Sequence, residues 1–205
     1  MKTRIVLATG NPGKLRELQT LLGDDQVEVL AQSTLGVREV EETGSTFLEN
    51  ALLKARNAAS QTHLPALADD SGLEVDALHG APGVHSARYA GQHGNDAANV
   101  DKLLTALAGV PAEKRSAHFH CAMVFVRSAN DPAPLISEGT WNGEILHARR
   151  GHNGFGYDPV FLVRELNRSA AELPAADKNR LSHRGQALRE LVAQLQASGL
   201  LKPSC

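Results

Sequence analysis

The chain has 205 residues, of which 42% are apolar and 21% charged, with 21 Lys and Arg against 23 Asp and Glu for a formal net charge of −2. That usage supports a sizeable buried core in one domain, or in two closely joined lobes, and excludes a disordered or collagen-like chain. The balanced charge argues against a nucleic-acid polymer as partner, and no window nears the roughly 20 consecutive apolar residues of a membrane helix.

Residues 3–9 (TRIVLAT) read as a short buried strand stopped by Gly10. Their apolar run, Ile5 to Ala8 with Thr9, is too short for a secretory leader. A helix follows, with Asn11 as N-cap and Pro12 at its first position. Leu15, Leu18, Leu21 and Leu22 supply its apolar face, and Gly23 ends it. Thr46-x-x-Glu49 is a capping box that announces a second helix, carrying Leu48, Ala51, Leu52, Ala55 and Ala59 at helical spacing. Residues 64–68 (LPALA) read as a buried strand ending at Asp69-Asp70-Ser71-Gly72.

Asp96 is expected to cap a third helix with Val100, Leu103, Leu104 and Leu107 on its inner face. Residues 117–127 alternate as a strand, and 135–148 suggest a hairpin turning at Asn142-Gly143. A last helix follows Ser182, periodic at Leu188, Leu191, Val192 and Leu195. Strands and helices mixed in this way predict an α/β fold with a mixed sheet, as a single unit over 1–205. The two cysteines, Cys121 and Cys205, make neither a disulfide framework nor a zinc motif, so a reducing cytoplasm is expected. Among nine histidines none has HExxH or HxxxH spacing, and His118 and His120 read as a surface or core pair on one strand face rather than a metal site.

Three segments carry chemistry. Thr9-Gly10-Asn11-Pro12-Gly13-Lys14 is not a P-loop, but glycines and helix-start N–H groups favour an anion there; the alternative is an ordinary capped βα turn. Lys14 stands in the first turn of the first helix, and His183 and Arg184 in the first turn of the last, with Lys178 and Arg180 just upstream. A cation at a helix N-terminus is disfavoured by about 0.3–1 kcal/mol. Several such placements together point to a polyanion such as a phosphate chain.

The second segment, Asp69 to Asp76, has four acids in eight residues beyond a buried strand. Its two adjacent aspartates suit Mg²⁺ and phosphate oxygens, with a solvated acidic turn as the alternative. Glu74 and Asp76 alternate with Leu73 and Val75 and read as a polar strand face. Glu41 or Glu42 can add an oxygen ligand, Glu49 is explained by capping, and Lys54 alone reads as a solvated charge. The third segment, 151–159, interleaves glycines with Phe155 and Tyr157 and suits a stacked base; a glycine turn packing two aromatics into the core is the other reading.

The blocks T9GNPGK14, E42TGSTFLENALLKA55, D69DSGL73, S86ARYAG91, G154FGYDP159 and S182HRGQAL188 occur in the order and spacing of the inosine triphosphate pyrophosphatase family, which the chain resembles from residue 9 to 188. The resemblance implies a long central mixed sheet flanked by helices, two lobes with the active site in the cleft between them, and a homodimer. It also implies Mg²⁺-dependent hydrolysis of ITP, dITP and XTP to the monophosphate and pyrophosphate. By motif, Thr9, Gly10, Asn11, Lys14 and Lys54 would hold phosphates, and Glu42 and Asp70 the metal, with Asp70 also the catalytic base. Ser71 would touch substrate. Phe155, Gly156, Tyr157 and Asp158, with Lys178, His183 and Arg184, would hold the base and the rest of the nucleotide.

The expected reaction is attack of water on the α-phosphorus, driven by positioning and charge stabilisation. A bound cation lowers a carboxylate's proton affinity, so Asp70 cannot freely be both tight ligand and strong base; that choice stays open. A nucleotide sensor without hydrolysis and a metal phosphatase releasing orthophosphate are the competing readings.

Overall fold

The computed structural model describes residues 2–22, 27–92 and 94–202. Gly23, the expected stop of the first helix, and Cys205 lie outside the described residues. The described strands form a seven-stranded mixed sheet in the order β2-β1-β3-β4-β5-β6-β7. These are β1 Thr3–Leu7, β2 Val27–Ala31, β3 Ala66–Val75, β4 Ser116–Val126, β5 Leu135–Ile145, β6 Phe161–Val163 and β7 Arg168–Ser169. The helices are α1 Pro12–Leu22, α2 Phe47–Thr62, α3 Asp96–Ala106, α4 Ala175–Leu181 and α5 His183–Ala197. β1 pairs in parallel with β2 and β3, whereas β6 pairs antiparallel with β5 and β7. The expected α/β class with a mixed sheet is the one observed.

The chain divides into two compact units. The first comprises the described residues of Met1–Asp70, Cys121–Gly139 and Arg184–Cys205. It is layered by strand alternation. Ile5, Leu7, Leu67, Cys121, Met123 and Phe125 pack on Leu18 of α1 and on Leu188, Leu191 and Leu195 of α5. The residues between them, Val6, Ala8, Ala66, Ala68, Val124 and Val126, pack on Ala51, Ala55, Ala58 and Ala59 of α2. Small alanines on both sides let α2 lie close to the sheet. Both helix starts follow the expected chemistry. Asn11 Oδ1 accepts the Gly13 and Lys14 N–H groups at 2.8 and 3.1 Å, and the Thr46–Glu49 capping box is closed in both directions.

The second unit comprises Ser71–His120 and Thr140–His183, with Leu73, Val75, Val100, Leu103, Leu107, Phe119, Trp141 and Phe161 in its core. Three expectations are corrected. The third helix is capped by Asn95, whose side chain accepts the Ala98 N–H, and Asp96 is its first residue. β4 alternates only as far as His120 and then runs fully buried from Cys121 to Val126. β5 continues straight through Asn142-Gly143 instead of turning. There, a Cβ on residue 143 would lie 2.5 Å from the Leu162 carbonyl oxygen and 2.6 Å from the Phe161 ring, so the glycine serves close strand approach.

Candidate active site

The acidic segment is not a turn after a strand. β3 extends through Asp69 and Asp70 to Val75. Side chains alternate across a strand, so the two aspartates point to opposite faces of the sheet. They cannot act as one paired ligand set, and each is built into a separate cluster of the first unit.

Asp69 follows the parity of Leu67, toward α1 and α5. It is fully buried, and its Oδ2 lies 3.0 Å from Lys14 Nζ and 3.3 Å from Arg184 Nε. Arg184 also pairs through Nη1 with Glu17, one turn beyond Lys14. The two cations that opposed their helix dipoles therefore meet on a buried carboxylate. Burial alone would push the Asp69 carboxyl up, but Lys14, Arg184 and Lys54 outweigh it and hold the group well below the usual carboxylate range. Burial likewise lowers the Arg184 pKa, yet Asp69 and Glu17 raise it overall. Nearby Cys121 is buried and its thiol is pushed up to about 12, which removes it as a nucleophile.

Asp70 follows the parity of Ala68, toward α2. Its Oδ1 lies 3.3 Å from Lys54 Nζ, and the same ammonium lies 2.7 Å from Glu42 Oε1. Asn50 donates Nδ2 to Asp70 Oδ2 at 3.1 Å while its Oδ1 accepts the Gly44 N–H at 2.8 Å. One buried amide thus ties the Glu42–Gly44 loop to β3. Lys54 is an ion-paired, mostly buried group rather than the solvated charge its sequence position suggests. Burial would lower its pKa, but Asp70, Glu42 and Asp69 raise it overall.

Glu42 and Asp70 present hard oxygen donors gathered around one cationic point, and no group of three or more His, Cys, Asp or Glu assembles among the described residues. That donor set fits Mg²⁺, which binds through one or two carboxylates plus phosphate and water. Glu49 accepts the Ser45 and Thr46 N–H groups at 2.7 and 3.2 Å, as capping requires. Thr9 Oγ1 accepts the Asn11 N–H at 3.2 Å, so Thr9, Gly10 and Asn11 form a self-bonded loop leading into Lys14.

In the second unit, Asp158 is buried, takes Lys178 Nζ at 2.7 Å and accepts the Phe155 N–H at 2.9 Å. Lys178 Nζ also stands 4.7 Å from the centre of the half-buried Phe155 ring. Gly156 N–H donates to Asp96 Oδ2 at 2.7 Å. Tyr157 is not an exposed platform. Its ring lies in the core and its hydroxyl donates to the Ser86 carbonyl at 2.9 Å. Burial pushes that phenol up. His183 is buried, its ring stacked on Phe119 at 4.8 Å and 11°. Ser71, half-buried, continues β3. On the polar strand face that holds Glu74 and His118, His118 Nε2 lies 2.9 Å from Glu74 Oε2.

Sequence reading missed Asn50 and Glu17. Both carried a signal: Asn50 is four residues before Lys54 and Glu17 three after Lys14, spacings that share a helix face.

In this α/β fold, β3 gathers acidic and basic side chains into ion-paired clusters on its two faces. The chain matches the Ham1 family over residues 5–194 and belongs to it. It is 59% identical over 194 residues to the dITP/XTP pyrophosphatase of Vibrio parahaemolyticus, covering 95% of this chain and 97% of that one. To the dITP/XTP pyrophosphatase of Methylococcus capsulatus it is 60% identical over 197 residues, covering 96% and 98%. Among solved structures, a HAM1 protein from Coxiella burnetii superimposes with a TM-score of 0.88 at 53% identity, covering 95% of this chain and 99% of that one.

Proposed function

We propose that this chain is a dITP/XTP pyrophosphatase that hydrolyses dITP, ITP and XTP to the nucleoside monophosphate and pyrophosphate. The reading rests on one observation above others: Glu42 and Asp70 meet on a single ammonium, that of Lys54. A pure anion binder gains nothing from carboxylates beside phosphate, whereas a metal-assisted hydrolase needs them. The names of the relatives support the same substrate class.

Bound Mg²⁺ would supply charge neutralisation to the phosphate oxygens, with Glu42 and Asp70 as its protein ligands. Lys14 and Lys54 take phosphate oxygens, and Thr9, Gly10 and Asn11 shape the loop beneath them. Asp70 orients the attacking water or takes its proton, and Ser71, the next residue in β3, contacts substrate. Phe155 offers its ring to the base, Lys178 and Asp158 hold that ring and its loop, and Tyr157 anchors the loop from the core. His183 and Arg184 donate toward the 6-oxo group. A cytoplasmic homodimer completes the reading, supported by the motif resemblance and by the sparse cysteines.

Incubation with dITP and Mg²⁺, followed by product identification, tests the activity. Pyrophosphate and dIMP are expected, and chelation of the metal abolishes them. Orthophosphate would establish the phosphatase reading, and unchanged nucleotide the sensor reading.

A second measurement tests base selection. Adenine presents a 6-amino donor to groups that themselves donate, and a buried donor left unpaired costs about 1–3 kcal/mol. The kcat/KM for dITP is therefore expected to exceed that for dATP by roughly five- to 150-fold. Equal values would remove His183 and Arg184 from that role.

A further inference from the structure

We propose that Asp96 is a positioning residue for the purine nucleotide: by accepting the Gly156 N–H it holds the Gly154–Tyr157 loop in place, so that the Phe155 ring is set before substrate arrives. The inference rests on the reading of this loop as the base-holding segment.

The loop needs external restraint. Gly154 and Gly156 both have positive φ, +77° and +61°, and glycine loses more backbone freedom on ordering than any other residue. Three consecutive residues are each tied differently. Phe155 N–H goes to Asp158, within the loop's own turn. The Tyr157 hydroxyl goes to the Ser86 carbonyl. Gly156 N–H goes to Asp96, sixty residues away in sequence. Asp158 already carries Lys178, and Asp96 supplies a tie from outside the loop.

Asp96 projects from a fixed support. α3 is anchored by buried Val100 and Leu103. Arg149 donates Nη2 to the Ala97 carbonyl at 3.0 Å, while its exposed pair with Asp101 adds little to that hold. Helix capping does not account for Asp96, because Asn95 already accepts the Ala98 N–H at 3.1 Å. A carboxylate suits the position: it faces the helix N-terminus favourably and makes a charge-assisted bond to one amide.

The test compares Asp96→Ala with Asp96→Asn, which keeps an acceptor oxygen, and with Asp101→Ala on the same helix. Asp96→Ala is expected to raise KM for dITP about three- to tenfold, the loss of one hydrogen bond, with kcat within twofold. Amide exchange of the 154–157 segment without nucleotide should accelerate. Asp96→Asn and Asp101→Ala should keep KM within about twofold of the parent.

An unchanged KM and unchanged exchange in Asp96→Ala would overturn the inference, as would a KM that rises equally in Asp101→Ala. Phe155→Ala separates the two levels. If it raises KM while Asp96→Ala does not, only the role of Asp96 falls. If it leaves KM unchanged, the base-holding reading falls, and this inference with it.

Discussion

Asp70→Asn should lower kcat for dITP by about 10²- to 10⁴-fold, the range lost when a group that moves or orients a proton is removed. The substitution is isosteric, and its side-chain oxygen can still accept from Asn50, so the strand and the Glu42–Gly44 loop remain joined. What disappears is one of the two negative charges gathered on Lys54. Two consequences separate this from a folding defect. Nucleotide should still bind, since Lys14 and Lys54 remain, and Mg²⁺ affinity measured by calorimetry should fall because Glu42 stands alone. Turnover near that of the parent enzyme would eliminate Asp70 from the chemistry.

Asp69→Asn is expected to act on stability first. The aspartate is 0% exposed and serves two cations, so neutralising it leaves Lys14 and Arg184 short of their shared anion. Breaking a buried pair in this way costs about 3–5 kcal/mol, readable as a lower urea midpoint.

The acid dependence gives an independent check. A carboxyl whose folded pKa is depressed stabilises the fold fully above its unfolded value near 3.9, and that stability is lost as the pH falls toward the folded value. The parent protein should therefore lose stability on acidification below about pH 4 with a steeper slope than Asp69→Asn. Identical slopes in the two proteins would mean that Asp69 is not the depressed carboxylate. Glu17 keeps a partner on Arg184 in the variant, which keeps the loss short of complete unfolding.

Much of the scaffold that carries the candidate site was legible because its parts are local. The Asn11 cap, the Thr46–Glu49 box and the α5 periodicity are short-range patterns, and the tertiary structure leaves them intact. The misplaced cations were legible as an electrostatic oddity that pointed to a polyanion, and in the structure Lys14 and Arg184 meet on the buried Asp69. Other readings failed where a local preference met a distant neighbour. Asn142-Gly143 has hairpin chemistry, but the Leu162 carbonyl and the Phe161 ring press on residue 143, so the glycine fits a continuous strand. For Tyr157 the sequence left a stacked platform and a core ring open, and the tertiary structure selects the core.

Residue order by itself determined the α/β class, the helix starts and the membership of the motif blocks, since each depends on spacings of a few residues and on side-chain chemistry. Only the tertiary structure decided that Asp69 and Asp70 serve opposite faces of β3. A run of acids carries no period of its own. Whether it becomes a turn, with both carboxylates in water, or a strand, with one on each side, is set by the sheet neighbours and helices that bury it.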